Sequence, residues 1–165
     1  MKLRNVLVPV ALAAALAACA TAPQPLQGEF TAITPREAVD RDSTGALVRW
    51  GGRIVDVEPQ PNRTCFHMIS TRLDVSGRPY WATDDVGGRF IACRSGFYDP
   101  AVFERNREVT FTGRVTGYDS RRIGQYDYRL PRVEAEVVYL WPARERVDVI
   151  ERPVPFGWGG WGWWY

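Results

Sequence analysis

Val109-Thr110-Phe111-Thr112-Gly113-Arg114-Val115-Thr116 decides the fold class. Val109, Phe111, Gly113 and Val115 fall on one parity, and Thr110, Thr112, Arg114 and Thr116 on the other. Strict alternation of this kind marks a half-buried strand, because successive side chains leave opposite faces of the pleat. Working outward, Gly117–Tyr128 reads as a polar loop. The next run alternates Val133, Ala135, Val137, Tyr139 and Trp141 against Glu134 and Glu136, ending at Pro142. On the other side, Asp99-Pro100 opens a short helix through Asn106, with Asp99 as N-cap and Pro100 at the first helical position. Tyr80–Ala82 and Gly88–Arg94 predict a broken third strand around Asp84-Asp85, and Cys65–Val75 a second, closed by the turn residues Ser76-Gly77-Arg78-Pro79. Val48, Trp50 and Ile54–Val57 form a first strand, with a bulge or sharp bend expected at Gly51-Gly52. Thr34-Pro35-Arg36-Glu37 has the composition of a capping box, so a short helix precedes the strands and exits at Ser43-Thr44-Gly45.

Three strands, a short helix and two strands is the element order of the OB-fold. The expected class is therefore all-β: a small five-stranded OB-like Greek-key barrel with one or two short helices. A generic β-sandwich is the alternative. Five short strands are too few for a transmembrane barrel, which needs at least about eight.

The N-terminal residues speak to compartment. Lys2 and Arg4 precede an uncharged apolar stretch, Val6–Ala18, too short to span a bilayer as a helix. A charged n-region and a short apolar h-region have the layout of a secretory signal peptide. Leu16-Ala17-Ala18-Cys19 resembles a bacterial lipobox, which implies cleavage before Cys19 and acyl chains on its sulfur and new amino group. Ala20 after it resembles the signal for sorting to the outer membrane. Two or more chains give a durable anchor.

The chain has 21 Lys+Arg and 19 Asp+Glu. Lys2 and Arg4 account for the excess of two, so the processed chain is formally neutral and all its basic side chains are Arg. Nucleic acid is not an expected partner, since that affinity rests on an excess of cationic contacts. Ala20–Glu29, with Pro23 and Pro25, reads as an extended tether. The expected organisation is a signal peptide over residues 1–18, a lipidated tether over 19–32, a barrel over 33–152 and a Trp/Gly-rich tail over 153–165.

Lipidation of Cys19 leaves Cys65 and Cys93 as an even pair in an oxidising compartment, on neighbouring strands. A structural disulfide is the expectation; the C-x-x-C spacing of a redox pair is missing. His67, the only histidine, would need a nucleophile and an orienting carboxylate to act as a base. Glu134 and Glu136 share a strand face at a separation of about 7 Å, as an inverting glycosidase pair would, though such pairs usually form the wet face of a sheet. Asp84, Asp85 and Asp127 lack calcium-loop spacing. No catalytic residue, metal or cofactor is expected beyond the lipid on Cys19.

The tail holds four of the seven tryptophans, Trp158, Trp161, Trp163 and Trp164, followed by Tyr165. Three readings stay open for it: insertion at a membrane interface, where such rings concentrate, stacking on sugars or a partner protein, or folding back to cap the barrel.

Assembled, the chain resembles the Slp family of starvation-inducible outer-membrane lipoproteins. The resemblance rests on Val48-Arg49-Trp50-Gly51-Gly52-Arg53-Ile54, Ser95-Gly96-Phe97-Tyr98-Asp99-Pro100 and Val109-Thr110-Phe111-Thr112-Gly113, with Gly124, Tyr128, Pro131 and Trp141. Departures are the Cys65/Cys93 pair, Asn106 where a glycine is common, Arg132-Val133 and the tail. The resemblance implies outer-membrane anchoring and a link to starvation or stress, with no established catalytic residues. The expected function is that of a non-enzymatic lipoprotein facing the periplasm, with an envelope structural or stress-related role. Its expected partners are membrane lipid through the anchor and envelope proteins or peptidoglycan. The alternative is an OB-like module binding glycan or peptidoglycan in the periplasm.

Overall fold

The computed structural model describes residues 21–82 and 85–144. The signal peptide, Cys19, Asp84 and the aromatic tail including Trp158, Trp161, Trp163, Trp164 and Tyr165 lie outside the described residues. Helix α1 (Pro35–Arg41) is followed by β1 (Leu47–Pro59), β2 (Arg63–Thr71), β3 (Val86–Ser95), β4 (Glu108–Ile123) and β5 (Tyr126–Leu140). The strands close into a barrel in the order β1-β2-β3-β5-β4, antiparallel except for the parallel β3–β5 contact. This is the OB-like Greek key that the element order predicts.

The core follows strand parity. Val48, Trp50 and Ile54 of β1, Phe66 and Met68 of β2, Phe90 and Ala92 of β3, Val109, Phe111 and Val115 of β4, and Val133 and Ala135 of β5 share one buried cluster. Phe66 packs on Phe111 and Phe90 on Phe111 at 5.4 and 5.9 Å between ring centres. Ala38 of α1 joins this core, so the helix plugs the barrel from before β1. The helix starts as its sequence directs: Thr34 Oγ1 accepts from the Glu37 N–H, and Glu37 Oε2 accepts from the Thr34 N–H.

Five sequence expectations change. The bulge in β1 falls between Ile54 and Asp56 rather than at Gly51-Gly52, which stay in register with both neighbouring strands. Those glycines serve close approach instead. A Cβ on Gly52 would lie 1.9 Å from the Ile69 carbonyl oxygen, and one on Gly51 2.7 Å from Thr110 Oγ1.

The helix expected over Asp99–Asn106 is a single turn. Asp99 does cap it, accepting from the Ala101 N–H through its side chain and from Val102 and Phe103 through its carbonyl. Propagation then stops because β1 captures the chain: the Asn106 N–H donates to Ile54 O and the Ile54 N–H to Arg107 O. Asn106 takes φ of 67°, a left-handed conformation that suits the glycine expected there and that Asn tolerates.

Gly117–Tyr128, read as a loop, is the outer half of a long hairpin paired from Tyr118↔Pro131 to Ile123↔Tyr126. Its apolar positions are confined to Tyr118, Ile123, Tyr126 and Tyr128, too few and too scattered for hydrophobic alternation to reveal it. Tyr80–Ala82 lies outside β3 and closes the turn after β2, with Leu73 bridging Pro79 and the Tyr80 N–H donating to Arg72 O.

The segment read as a free tether is likewise folded from Ala22 onward. Gln24–Leu26 forms a 3₁₀ turn, Leu26 is fully buried, and Arg49 Nη1 donates to Leu26 O. Leucine burial is worth about 1.5–3 kcal/mol, enough to hold a short proline-stiffened segment on the barrel.

Candidate functional site

The outer face of β1, β2 and β3 is where an OB barrel takes ligand. Here the β4–β5 arm lies across it. Cys65 and Cys93 are directly opposed in the β2–β3 ladder and joined by a disulfide. They form a second buried cluster with Ile91 and Leu130, with Tyr128 packed against it; the last two residues come from the arm. Parallel pairing of Ile91, Ala92 and Cys93 with Arg132, Val133 and Glu134 brings the base of the arm alongside β3. The Arg89 N–H also reaches Tyr128 Oη at 3.4 Å.

A polar latch completes the cover. Glu58 at the end of β1 faces His67 of β2, with Oε2 3.3 Å from His67 Nε2, and Arg121 Nη2 of the arm donates to the same oxygen at 2.8 Å. Hydrogen bonds from His67 and then Arg121 hold the Glu58 carboxyl below its ordinary pKa. Burial pushes the His67 imidazole below its ordinary value, outweighing the opposing hydrogen bond to Glu58. Two spaces remain beneath the arm, one of about 140 Å³ bordered by Glu58, His67, the disulfide and Arg132, and one of about 240 Å³ bordered by His67, Arg89, Arg121 and Leu130; each is below the size of an ordinary small-molecule site.

The candidates for catalysis do not assemble. His67 meets a carboxylate and an arginine, with no Ser, Thr or Cys nucleophile on its ring nitrogen among the described contacts. Glu134 and Glu136 are both exposed, and the register shift between Thr112 and Gly113 of β4 leaves Glu136 without a partner across the strand pair. Glu134 faces Arg63 at 3.8 Å, a solvated ion pair. Asp127 pairs with Arg122, and Asp85 contributes its carbonyl to Thr71 Oγ1. Among the described residues no group of three His, Cys, Asp or Glu side chains converges on a metal position.

Sequence reasoning found the disulfide face but missed the latch. Glu58 and Arg121 are 63 positions apart and meet only because the hairpin curls back. The available signal was Arg121-Arg122, Asp127 and Arg129 at hairpin spacing around Gly124-Gln125, a turn centred on a glycine with φ of 63°.

A family model described as Outer membrane lipoprotein Slp family matches residues 16–165. The chain is 29% identical to the Escherichia coli protein named Uncharacterized lipoprotein YeaY, over 91% of this chain and 79% of that one. It is 30% identical to a Haemophilus influenzae protein, over 90% and 82%. Identity to Outer membrane protein Slp of Escherichia coli is 27%, over 89% and 83%. Among solved structures, the small single-stranded DNA-binding protein from Streptomyces coelicolor is 12% identical, covering 58% of this chain and 94% of its own, with a TM-score of 0.35.

Proposed function

Since the chain belongs to the outer membrane lipoprotein Slp family, we propose that it is a non-enzymatic structural component of the envelope, tethered through lipidated Cys19 with its barrel in the periplasm. Its role is to support the envelope under starvation or stress through contacts with other envelope components.

The observation that carries this reading is the filled OB face. Where an OB barrel would hold a ligand, this one places its disulfide, Ile91 and Leu130, and latches the arm over them through Glu58 and Arg121. Such a surface is built for rigidity. The family membership supports the outer membrane as the location, and the lipobox supports Cys19 as the attachment point.

The anchor is tested by fractionation. Cys19→Ala moves the protein from the outer-membrane fraction to the soluble periplasm; retention in the membrane would exclude the lipid anchor. The glycan-binding alternative makes a different prediction: saturable binding of peptidoglycan fragments by the detergent-solubilised lipoprotein, lost on deleting Phe156–Tyr165. The structural reading expects no such saturation.

A further inference from the structure

At one end of the barrel, Arg53, Arg78, Arg107 and Arg144 converge around a single carboxylate, Glu108, on an open cavity of about 510 Å³. Glu108 is 8% exposed and accepts from Arg78 Nε at 2.7 Å and Arg144 Nε at 3.2 Å. Asp74 is nearby, but Ser76 and the Arg78 N–H occupy its carboxylate. Arg107 hydrogen-bonds the Trp141 carbonyl, and Arg53 lies over the Trp81 ring at 4.2 Å. Neither has a carboxylate partner among the described residues. The formally neutral processed chain has thus gathered a local cationic excess into one concavity.

The position of this cavity says what it faces. A side chain placed at Gly77, next to Arg78, would touch Leu26 at 3.5 Å and the Ala22 Cβ at 3.7 Å. Ala22 is only three residues beyond Cys19, and three extended residues reach at most about 11 Å. An acyl chain on Cys19 therefore brings the membrane surface to this end of the barrel. The same turn leaves Val75 79% exposed at its tip and Tyr80 38% exposed beside it. Apolar and aromatic side chains next to arginines suit the level of lipid headgroups. Arg144 Nη2 donates to Pro79 O, so the last described residue also lies at this end of the barrel.

We propose that the cavity of Arg53, Arg78, Arg107 and Arg144 binds the phosphate of a membrane phospholipid, and that this contact sets the orientation of the barrel on the bilayer. A guanidinium fork matches phosphate oxygens and stays charged at every physiological pH. The orientation part rests on the Cys19 anchor proposed above; phosphate binding itself does not.

The test uses the full lipidated chain in non-ionic detergent, reading arginine Nε–Hε resonances during titration. One arm adds dihexanoylphosphatidylglycerol, and the other inorganic phosphate. The expected result is saturable shifts at the four arginines, with the lipid half-saturating at a concentration at least tenfold below phosphate. Binding should weaken as salt rises. Arg53→Gln, which breaks no ion pair among the described residues, should weaken lipid binding about fivefold with an unchanged circular dichroism spectrum. Equal affinity for phosphate and lipid would overturn the membrane assignment. Non-saturating shifts, or shifts spread over all arginines alike, would overturn the site. Release of Cys19→Ala from membranes is scored separately, so failure of the anchor and failure of the pocket are distinguishable.

Discussion

At the residue scale, the barrel depends on positions that tolerate no side chain. Gly52 of β1 lies against the Ile69 carbonyl and Gly113 of β4 against that of Glu134, where an added Cβ would sit 1.9 and 2.2 Å from backbone oxygen. Neither neighbour can move without breaking a ladder. Gly52→Ala should cost about 2–3 kcal/mol in urea unfolding, the upper part of the range for overpacking. Gly87→Ala, whose nearest contacts are side-chain atoms at 3.4 Å and beyond, should stay within about 0.5 kcal/mol. His67 makes a pH prediction. Its folded pKa lies below its ordinary value of 6.5 because it is buried, so the unfolded chain takes up the proton first. Its contribution is present above pH 6.5 and is lost as pH falls from there toward the folded value. The slope is at most about 1.4 kcal/mol per pH unit. Glu58, also depressed, adds a loss in the same direction at lower pH, below its ordinary 4.5. Chemical denaturation of His67→Gln at a series of pH values should show a flatter dependence near and below pH 6.5 than the native chain. An equal slope would exclude His67 as the source.

At the scale of elements, the β4–β5 hairpin has two halves with different physics. Its inner half is core: Val109, Phe111, Val115, Val133 and Ala135 line the barrel. The shift at Glu136 then reverses the parity of β5, so Val138 and Leu140 pack on the core instead of the expected Val137 and Tyr139. The outer half is held by polar and aromatic pairs, Arg122 with Asp127, Arg132 with Asp119, and Arg129 over Tyr118. Tyr118 Oη also donates to Ala38 O, tying the arm to α1. The disulfide belongs to the face that the arm covers. It spans 28 positions, and in the chain-entropy account a loop of that length is worth about 3–4 kcal/mol. Cys65→Ser with Cys93→Ser should lower unfolding stability by that amount in a denaturant titration. The barrel should survive, because the main core contains neither cysteine. Its far-UV spectrum should match that of the native chain.

At the scale of the molecule, the described body is one closed barrel plugged by α1, and the N-terminal segment is sewn onto it through Leu26 and Arg49. The released Cys19→Ala chain should therefore be a folded monomeric barrel, with the native far-UV spectrum and a single cooperative unfolding transition. Aggregated or unfolded periplasmic material would contradict an autonomously stable body. The order of the elements, the capped helix and the parity of the inner strands were legible because they depend on neighbours two to four positions apart. Val109 to Val115 alternate, Thr34 faces Glu37, and Cys65 and Cys93 sit on strands that the turns make adjacent. The Asp99–Asn106 turn, the arm and the folded tether were not legible. A long-range partner decides each one: Ile54 for Asn106, Glu58 for Arg121, and the barrel wall for Leu26. The arginines follow the same division. Their number and the neutrality of residues 19–165 are properties of the sequence. That Arg53, Arg78, Arg107 and Arg144 surround one carboxylate was decided by tertiary structure alone, because closing the barrel brings together residues that the chain keeps 91 positions apart.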